Sequence, residues 1–392
     1  MSNAPVISDY YRFAADFSPE ENERLQALRD LLDREARPRV NRLWADAEFP
    51  RDLVTPLAEL GLYGMMFEES RRFETSARFR GWVTFELARV DASLATFLGV
   101  HAGLGIGSIG VLGSAEQRAE WLPRMATGEV VGACGITEPL SGSDTSKGIR
   151  TTAERRGDTW VLNGEKRWIG NATWSDITII YARDVADGRI KAFIVPTDTP
   201  GYVATKIEDK QSLRIVQNAD IVLTDVEVDE SLRLPGCESF ADVSRVLQHT
   251  RSENGWIASG LQAGAFELAL AYAKEREQFG KKIGGFQLVQ DLLVKSLGNI
   301  TASLTMMERL AAVTDRGERI DEMAALSKAY TSTRARETVA WCRELFGGNG
   351  VDLDYGISRF FCDAEAVHTY EGTREMNTLI VGRDITGFAA FL

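Results

Sequence analysis

Thr159-Trp160-Val161-Leu162-Asn163-Gly164-Glu165-Lys166-Arg167-Trp168 is the stretch on which the fold turns. Two β-type runs flank an Asn-Gly pair, and Asn-Gly supplies the positive φ angles of a two-residue hairpin turn. The reading is a β-hairpin. Around it, from Gly132 to about Val228, short β-type runs alternate with turn residues. Further strands are expected at Ile177–Tyr181, Ala192–Val195 and Ala219–Leu223. Upstream the chain reads helical. Ser18-Pro19-Glu20-Glu21 spells a capping box with Pro at the first helical position, and Leu25, Leu28, Leu31 and Leu32 follow at helical spacing. Ser114-Ala115-Glu116-Gln117 opens another helix in the same way. Downstream of about Asp242, long amphipathic segments run near 242–277, 285–315, 321–346 and 358–368. The plan is an α+β chain of three units: a helical domain over 1–131, a β domain over 132–240 and a helical bundle over 241–392.

The 392 residues are enough for two or three cores, and 44% hydrophobic residues is ordinary for a globular protein. A net charge of -12 and a pI near 5.0 argue against nucleic-acid binding, which wants a basic patch. The four cysteines are scattered with no Cys-x-x-Cys pair, so neither a disulfide framework nor a zinc site is suggested, and the three histidines are too far apart to read as a metal cluster. No apolar run reads as membrane length, the N-terminus shows no signal pattern, and the ending Ala389-Ala390-Phe391-Leu392 is not of the Ser-Lys-Leu type; the expectation is a cytoplasmic protein.

Gly105-Ile106-Gly107-Ser108-Ile109-Gly110 spells G-x-G-x-x-G. A dinucleotide fold needs that motif between a strand and a helix that opens on the last Gly. Here the preceding Leu94–Val100 run looks helical and the next capped helix begins at Ser114, so the glycines read as close helix packing or a helix–loop boundary.

Five segments carry chemistry: Gly135-Ile136-Thr137-Glu138-Pro139 with Ser141-Gly142-Ser143-Asp144; Trp168-Ile169-Gly170-Asn171; Arg276-Glu277-Gln278-Phe279-Gly280; Gly347-Gly348-Asn349-Gly350; and Tyr370-Glu371-Gly372-Thr373. In order and spacing, over nearly the whole chain, they resemble the acyl-CoA dehydrogenase family of flavoenzymes. The resemblance implies a helical domain, a β-barrel or sandwich domain and a C-terminal four-helix bundle. It implies FAD as cofactor, an acyl-CoA substrate, and an electron-transfer flavoprotein or O2 as electron acceptor. It makes Glu371 the base that removes a proton alpha to the thioester. Such a proton is weakly acidic, so the base must be positioned and its proton affinity raised, and burial does both. The family holds the thioester oxygen with the backbone N–H of this same Glu, an oxyanion-hole effect.

The resemblance also assigns the remaining residues. Thr137, Ser143 and Trp168 would contact the flavin, and Gly170 stands where the family usually has a Thr that bonds near flavin N5. That substitution loses a donor and opens space beside the redox-active nitrogen. Arg276, Gln278 and Phe279 would reach the FAD of a neighbouring subunit, Arg276 through its fork of donors to phosphate. Glu344, Gly347 and Gly348 would pass close to the adenosine, and Thr373 and Glu375 would touch FAD. A site spanning two chains implies an oligomer, commonly a homotetramer. Ser143 and Arg251 correspond to positions that meet the CoA tail, with Arg251 equally readable as a salt-bridged helix residue. Tyr370 and Gly372 flank the base, and Leu94, Phe97 and Leu98 are candidates to line an apolar acyl pocket. Other family members carry the base where Thr250 stands, so Glu371 has no rival there; Glu253 is nearby but out of register.

Two branches share further segments. Glutaryl-CoA dehydrogenases share Arg89-Val90-Asp91 and Ser212-Leu213-Arg214, but pair the distal carboxylate with an Arg four residues after that Asp, where this chain has Ala95. A second carboxylate on the substrate would be left unpaired, which is costly. Plant short-chain acyl-CoA oxidases share Lys166-Arg167-Trp168-Ile169-Gly170-Asn171 and Phe361-Cys362-Asp363. The expectation is therefore α,β-dehydrogenation of a short or branched acyl-CoA, with an oxidase, or a specialised flavin oxidase or monooxygenase, as the alternatives.

Overall fold

The Asn163-Gly164 pair does not turn the chain. In the computed structural model, which describes residues 6–390, Thr159–Gly170 is one continuous strand. Met1–Pro5 and Phe391-Leu392 lie outside the described residues, and part of the C-terminal ending goes with them. The hairpin turn is the preceding pair, Gly157-Asp158, with Gly157 at φ 68 and Arg156 facing Thr159. Asn163-Gly164 forms a bulge. The register shifts between Leu162 and Gly164, and Asp225 on the facing strand sits at φ 48. The Asn163 side chain closes the bulge, accepting from Asp225 N at 2.8 Å and donating to Asp225 Oδ1 at 3.0 Å. Gly164 is required because a Cβ there would come within 2.6 Å of the Thr151 backbone. A local Asn-Gly signal serves a turn or a bulge equally well; the facing strand decided.

The N-terminal unit begins with α1 (Pro19–Leu31), opened by the expected capping box at Ser18. Then come α2 (Ala77–Val90), α3 (Ala92–Leu112) and α4 (Ala115–Ala126), the last capped by Ser114 and Gln117. The middle of α3, Gly99–Ile106, is π-helical. The G-x-G-x-x-G run lies wholly within α3, with no strand before it among the described residues, so it marks no helix–loop boundary; close packing holds at Gly110, where a Cβ would meet Phe67 at 2.4 Å, but not at Gly107, where the nearest atom is 3.8 Å away. Contrary to the sequence expectation, α3 is long and apolar enough to cross a membrane, but 67% of its apolar window is buried inside the protein.

The middle unit is one seven-stranded mixed sheet: β1 (Gly132–Gly135), β2 (Thr152–Arg156), β3 (Thr159–Gly170), β4 (Ile177–Asp184), β5 (Ile190–Pro196), β6 (Tyr202–Lys206) and β7 (Asn218–Asp229). β1 and β2 run parallel to β4 along one edge, and β5 pairs antiparallel with its other edge. The C-terminal helices are α5 (Phe240–Thr250), α6 (Glu253–Glu275), α7 (Gln287–Asp315), α8 (Asp321–Leu345), α9 (Ile357–Thr369) and α10 (Arg374–Thr386). The long first segment expected over 242–277 breaks at Arg251-Ser252 into α5 and α6.

Helix α6 packs backbone to backbone on α2. A Cβ on Gly260 or Gly264 would come within 2.3 and 2.2 Å of the Phe85 and Arg89 carbonyl oxygens. Three of the segments shared with known branches serve as joints between units. Asp91 pairs with Arg359, and Asp363 accepts from Trp44 Nε1 at 2.9 Å and Leu213 N at 2.7 Å. Burial, followed by the neighbouring Asp91, pushes Asp363 up to about 7. Arg214 donates to the Trp44 carbonyl at 3.0 Å.

Candidate active site

Three elements converge on Glu371. It sits in the connector between α9 and α10 at φ 57, followed by Gly372 at φ 78. Asn377 fixes this turn by donating to the Gly372 carbonyl at 2.9 Å and the Thr373 carbonyl at 3.1 Å, and Thr373 caps α10 by accepting from Met376 N. The left-handed backbone turns the Glu371 side chain toward the end of α5, where Thr250 Oγ1 donates to Glu371 Oε2 at 3.4 Å. Among the described residues the Glu371 N–H donates to no other group. Burial raises the Glu371 pKa; Thr250, Lys328 and Arg251 oppose it.

The flanking groups are held in turn. Tyr370 Oη lies 3.2 Å from Thr96 Oγ1, whose own hydroxyl proton goes to the Ala92 carbonyl at 2.8 Å, so Tyr370 is the donor. Buried Lys328 donates to the His368 carbonyl at 2.7 Å, and burial pushes it down to about 8. Arg251, in the break between α5 and α6, is ion-paired with Asp321 at 2.9 Å.

The sheet supplies a second group. The β3 register shifts again between Lys166 and Ile169, and Trp168 in this bulge has φ 67. Its ring is therefore not a cross-strand core pair but stands 52% exposed, with Arg167 5.0 Å over it. Thr137 bonds the same bulge from the end of β1, accepting from Arg167 N at 2.9 Å through its carbonyl and donating to the Arg167 carbonyl at 2.5 Å. Ser143 lies exposed in the loop after it. Gly170 leaves no open space: a Cβ there would meet Val100 Cγ2 at 3.3 Å. Thr173 donates to Gln217 at 3.1 Å and does not stand in for the absent hydroxyl. Both amide atoms of Asn171 are buried with no hydrogen-bond partner among the described residues. The π-helical stretch of α3 joins the two groups, since Val100 meets Gly170 while Gly103 meets Thr250.

Leu94, Phe97 and Leu98 on α3 are buried. Phe97 sits in an aromatic cluster with Phe49, Tyr63, His101 and Trp174, centroids 4.6 to 5.9 Å apart.

A third group stands apart. Arg276, Gln278 and Phe279 form an exposed arm just beyond α6, with Phe279 at φ 52 and 94% exposed. Twenty-three helical residues separate it from the base end of α6, about 34 Å at 1.5 Å per residue. Beside the arm, in the last turn of α6, Asn349 bonds Tyr272 Oη at 3.0 Å and Phe346 stacks on Tyr272. The adjoining Gly347 and Gly348 have nothing within 4 Å of a built Cβ, and Glu344 is exposed. Exposed Glu375 bonds its neighbour Arg374 at 2.6 Å.

Sequence reasoning missed Thr96, Val100, Lys328 and the role of Glu253. The readable signal was the Gly99/Gly103 pair, one helical turn apart, which leaves room for whatever faces it.

This arrangement belongs with known proteins. The chain matches the acyl-CoA dehydrogenase N-terminal domain over residues 18–129, the middle domain over 133–226 and the C-terminal domain over 240–386. It belongs to the acyl-CoA dehydrogenase family. It is 31% identical to a probable acyl-CoA dehydrogenase, YngJ, of Bacillus subtilis, over 94% of this chain and 99% of that protein. Glutaryl-CoA dehydrogenase from Mycobacterium smegmatis superposes with a TM-score of 0.94 at 37% identity, covering 99% of this chain and 100% of that one. A second structure from that organism, a glutaryl-CoA dehydrogenase in complex with FADH2, also has a TM-score of 0.94, at 32% identity over the same shares.

Proposed function

We propose that the protein catalyses FAD-dependent α,β-dehydrogenation of an acyl-CoA thioester, with Glu371 as the base. The observation that carries this is the Glu371 turn. A carboxylate with raised proton affinity and a backbone N–H of the same residue that is unbonded among the described residues are linked, through the π-helical stretch of α3, to the end of β3 that bears Trp168. The chain fits a flavin on its own features. Trp168 is an exposed aromatic held by a bulge, Asn171 presents two unpartnered amide atoms, and Gly347-Gly348 is an open backbone cradle. Bound FAD supplies the acceptor for the hydride leaving the β-carbon. The chain's residues do the rest. Glu371 Oε2 takes the α-proton, the Glu371 N–H holds the thioester oxygen as charge develops on it, and Tyr370 and Thr250 keep the carboxylate in place.

Electrons then pass to an electron-transfer flavoprotein. Val100 supports this over oxygen as acceptor, because a branched aliphatic group fills the space that Gly170 would otherwise leave. The acyl group ends without a negative charge, since Ala95 is apolar and a second side-chain carboxylate, Glu253, already lies near the base. The far end of the cofactor is held by another copy of the chain, in a homotetramer. The distance of Arg276 from Glu371 supports this, as does an apolar groove lined by Val294, Leu297, Met306, Met323 and Leu326. The test is anaerobic titration of the yellow protein with a panel of acyl-CoAs, followed by air. Bleaching with slow reoxidation is expected. Rapid recovery with peroxide moves the assignment to an oxidase, and no bleaching by any saturated acyl-CoA refutes the reaction.

A further inference from the structure

Glu253, in the first turn of α6, lies beside the Glu371 turn and against α3. Its Oε2 lies 2.9 Å from where a Cβ on Gly99 would stand and 3.1 Å from where one on Gly103 would stand. The Thr250 methyl meets the same Gly103 position at 2.9 Å, and Thr250 in turn bonds the base. The carboxyl is thus one residue contact from Glu371, packed against the π-helical stretch of α3 whose next face covers Gly170. Among the described residues Glu253 makes no hydrogen bond and no ion pair. Arg80, whose charge acts on Glu253, is engaged elsewhere, donating to the Thr75 carbonyl and hydroxyl at 3.2 Å.

We propose that Glu253 is the specificity-determining residue of the acyl pocket, and that it selects acyl groups carrying a neutral hydrogen-bonding substituent, a hydroxyl or amide, beyond the β-carbon. This rests on the reading of Glu371 as the base. Burial and then the nearby Glu371 push Glu253 up to about 8, with Arg80 opposing. At neutral pH it is therefore mostly the acid, with one O–H to give and one carbonyl oxygen to accept. A half-buried carboxyl with neither used is unfavourable until a ligand supplies the partner. An alkyl chain leaves it unpaired, a hydroxyl or amide satisfies it, and a distal carboxylate adds charge beside two acids. A site built to bond a substrate hydroxyl rejects the analogue lacking it far more strongly than an apolar pocket distinguishes the two.

The experiment compares butanoyl-CoA with 4-hydroxybutanoyl-CoA, and pentanoyl-CoA with 5-hydroxypentanoyl-CoA, on the FAD-loaded wild type, Glu253→Leu and Glu253→Gln. Anaerobic flavin reduction and titration calorimetry are the two readouts. Expected is a wild-type preference for each hydroxyacyl thioester on the order of 100-fold in reduction efficiency, reversed in Glu253→Leu and partly kept in Glu253→Gln. The same hydroxyl-to-alkyl ratio in wild type and Glu253→Leu overturns the proposal. So does loss of reduction in Glu253→Gln as complete as in Glu371→Gln, which would put Glu253 in the proton transfer. If Glu253→Leu fails to hold FAD, the ratio in Glu253→Gln decides alone: a ratio unchanged from wild type overturns the proposal, and a reduced one supports it. If no thioester reduces the wild-type flavin, yet calorimetry shows the hydroxyl preference and its loss in Glu253→Leu, the pocket assignment stands and the reaction reading falls.

Discussion

The two ends of α6 are built for opposite circumstances. At its start, Glu253, Thr250, Glu371 and Lys328 form a polar cluster walled by π-helical glycines, all from one chain. At its finish, Arg276, Gln278 and Phe279 are exposed, and Gly280, Gly347 and Gly348 have open space where a side chain would stand. One helix thus carries a finished half-site and an unfinished one. The difference bears on the proposed assembly: the groups proposed for proton transfer all lie within one chain at the closed end, while the open end would gain partners from a second copy.

The largest effect should come from the closed end. Glu371→Gln is expected to keep FAD bound and lower the rate of flavin reduction by about 10²- to 10⁴-fold, the usual worth of a positioned base. Stopped-flow bleaching measures it, and an unchanged rate would remove Glu371 from the chemistry. The open end should answer differently. Arg276→Ala is expected to weaken FAD retention about 10- to 100-fold, as for a lost charge-assisted hydrogen bond, with Glu371-dependent chemistry intact in whatever protein still holds FAD. Equal loss of FAD from both variants would erase the contrast.

Substitution of glycines sharpens it further. Gly103→Ala forces a methyl against Glu253 and Thr250 and should cost about 1–3 kcal/mol of stability, read as a lower Tm. Gly348→Ala meets nothing and should leave the Tm unchanged while altering FAD affinity. The smallest effect is in pH. Reduction should rise with pH as Glu371, raised above the ordinary carboxylate range, loses its proton. It should then fall a few-fold near pH 8, where Glu253 ionises and places a second negative charge beside the first. Glu253→Gln should flatten that upper limb; a limb that persists belongs to another group.

Much of this was legible in the residues. The capping boxes at Ser18 and Ser114, the strands around Ile179 and Ile194, and the Glu371 motif all rest on local chemistry that travels with the sequence. What was not legible depended on a facing element. Asn163-Gly164 has the composition of a turn, and only Asp225 across the sheet makes it a bulge. Trp168 has the composition of a core strand residue, and only a second register shift turns it outward. Glu253 looked out of register because its neighbours are fixed not by α6 but by how closely α3 approaches it. The space beside Gly170 is filled by Val100, seventy residues upstream.

The π-helical stretch of α3 has a consequence of its own. A π turn holds more residues than an α turn, and each extra residue rotates everything after it by about 100°. Leu94 and Phe97 before the stretch, and Ile109 and Leu112 after it, are therefore set on different azimuths of one rod, and all four are buried. Chain length between Gly99 and Ile106 is thus as constrained as residue identity. A single deletion there would restore an ordinary helix and swing its second half out of phase with the sheet, although no side chain had been exchanged.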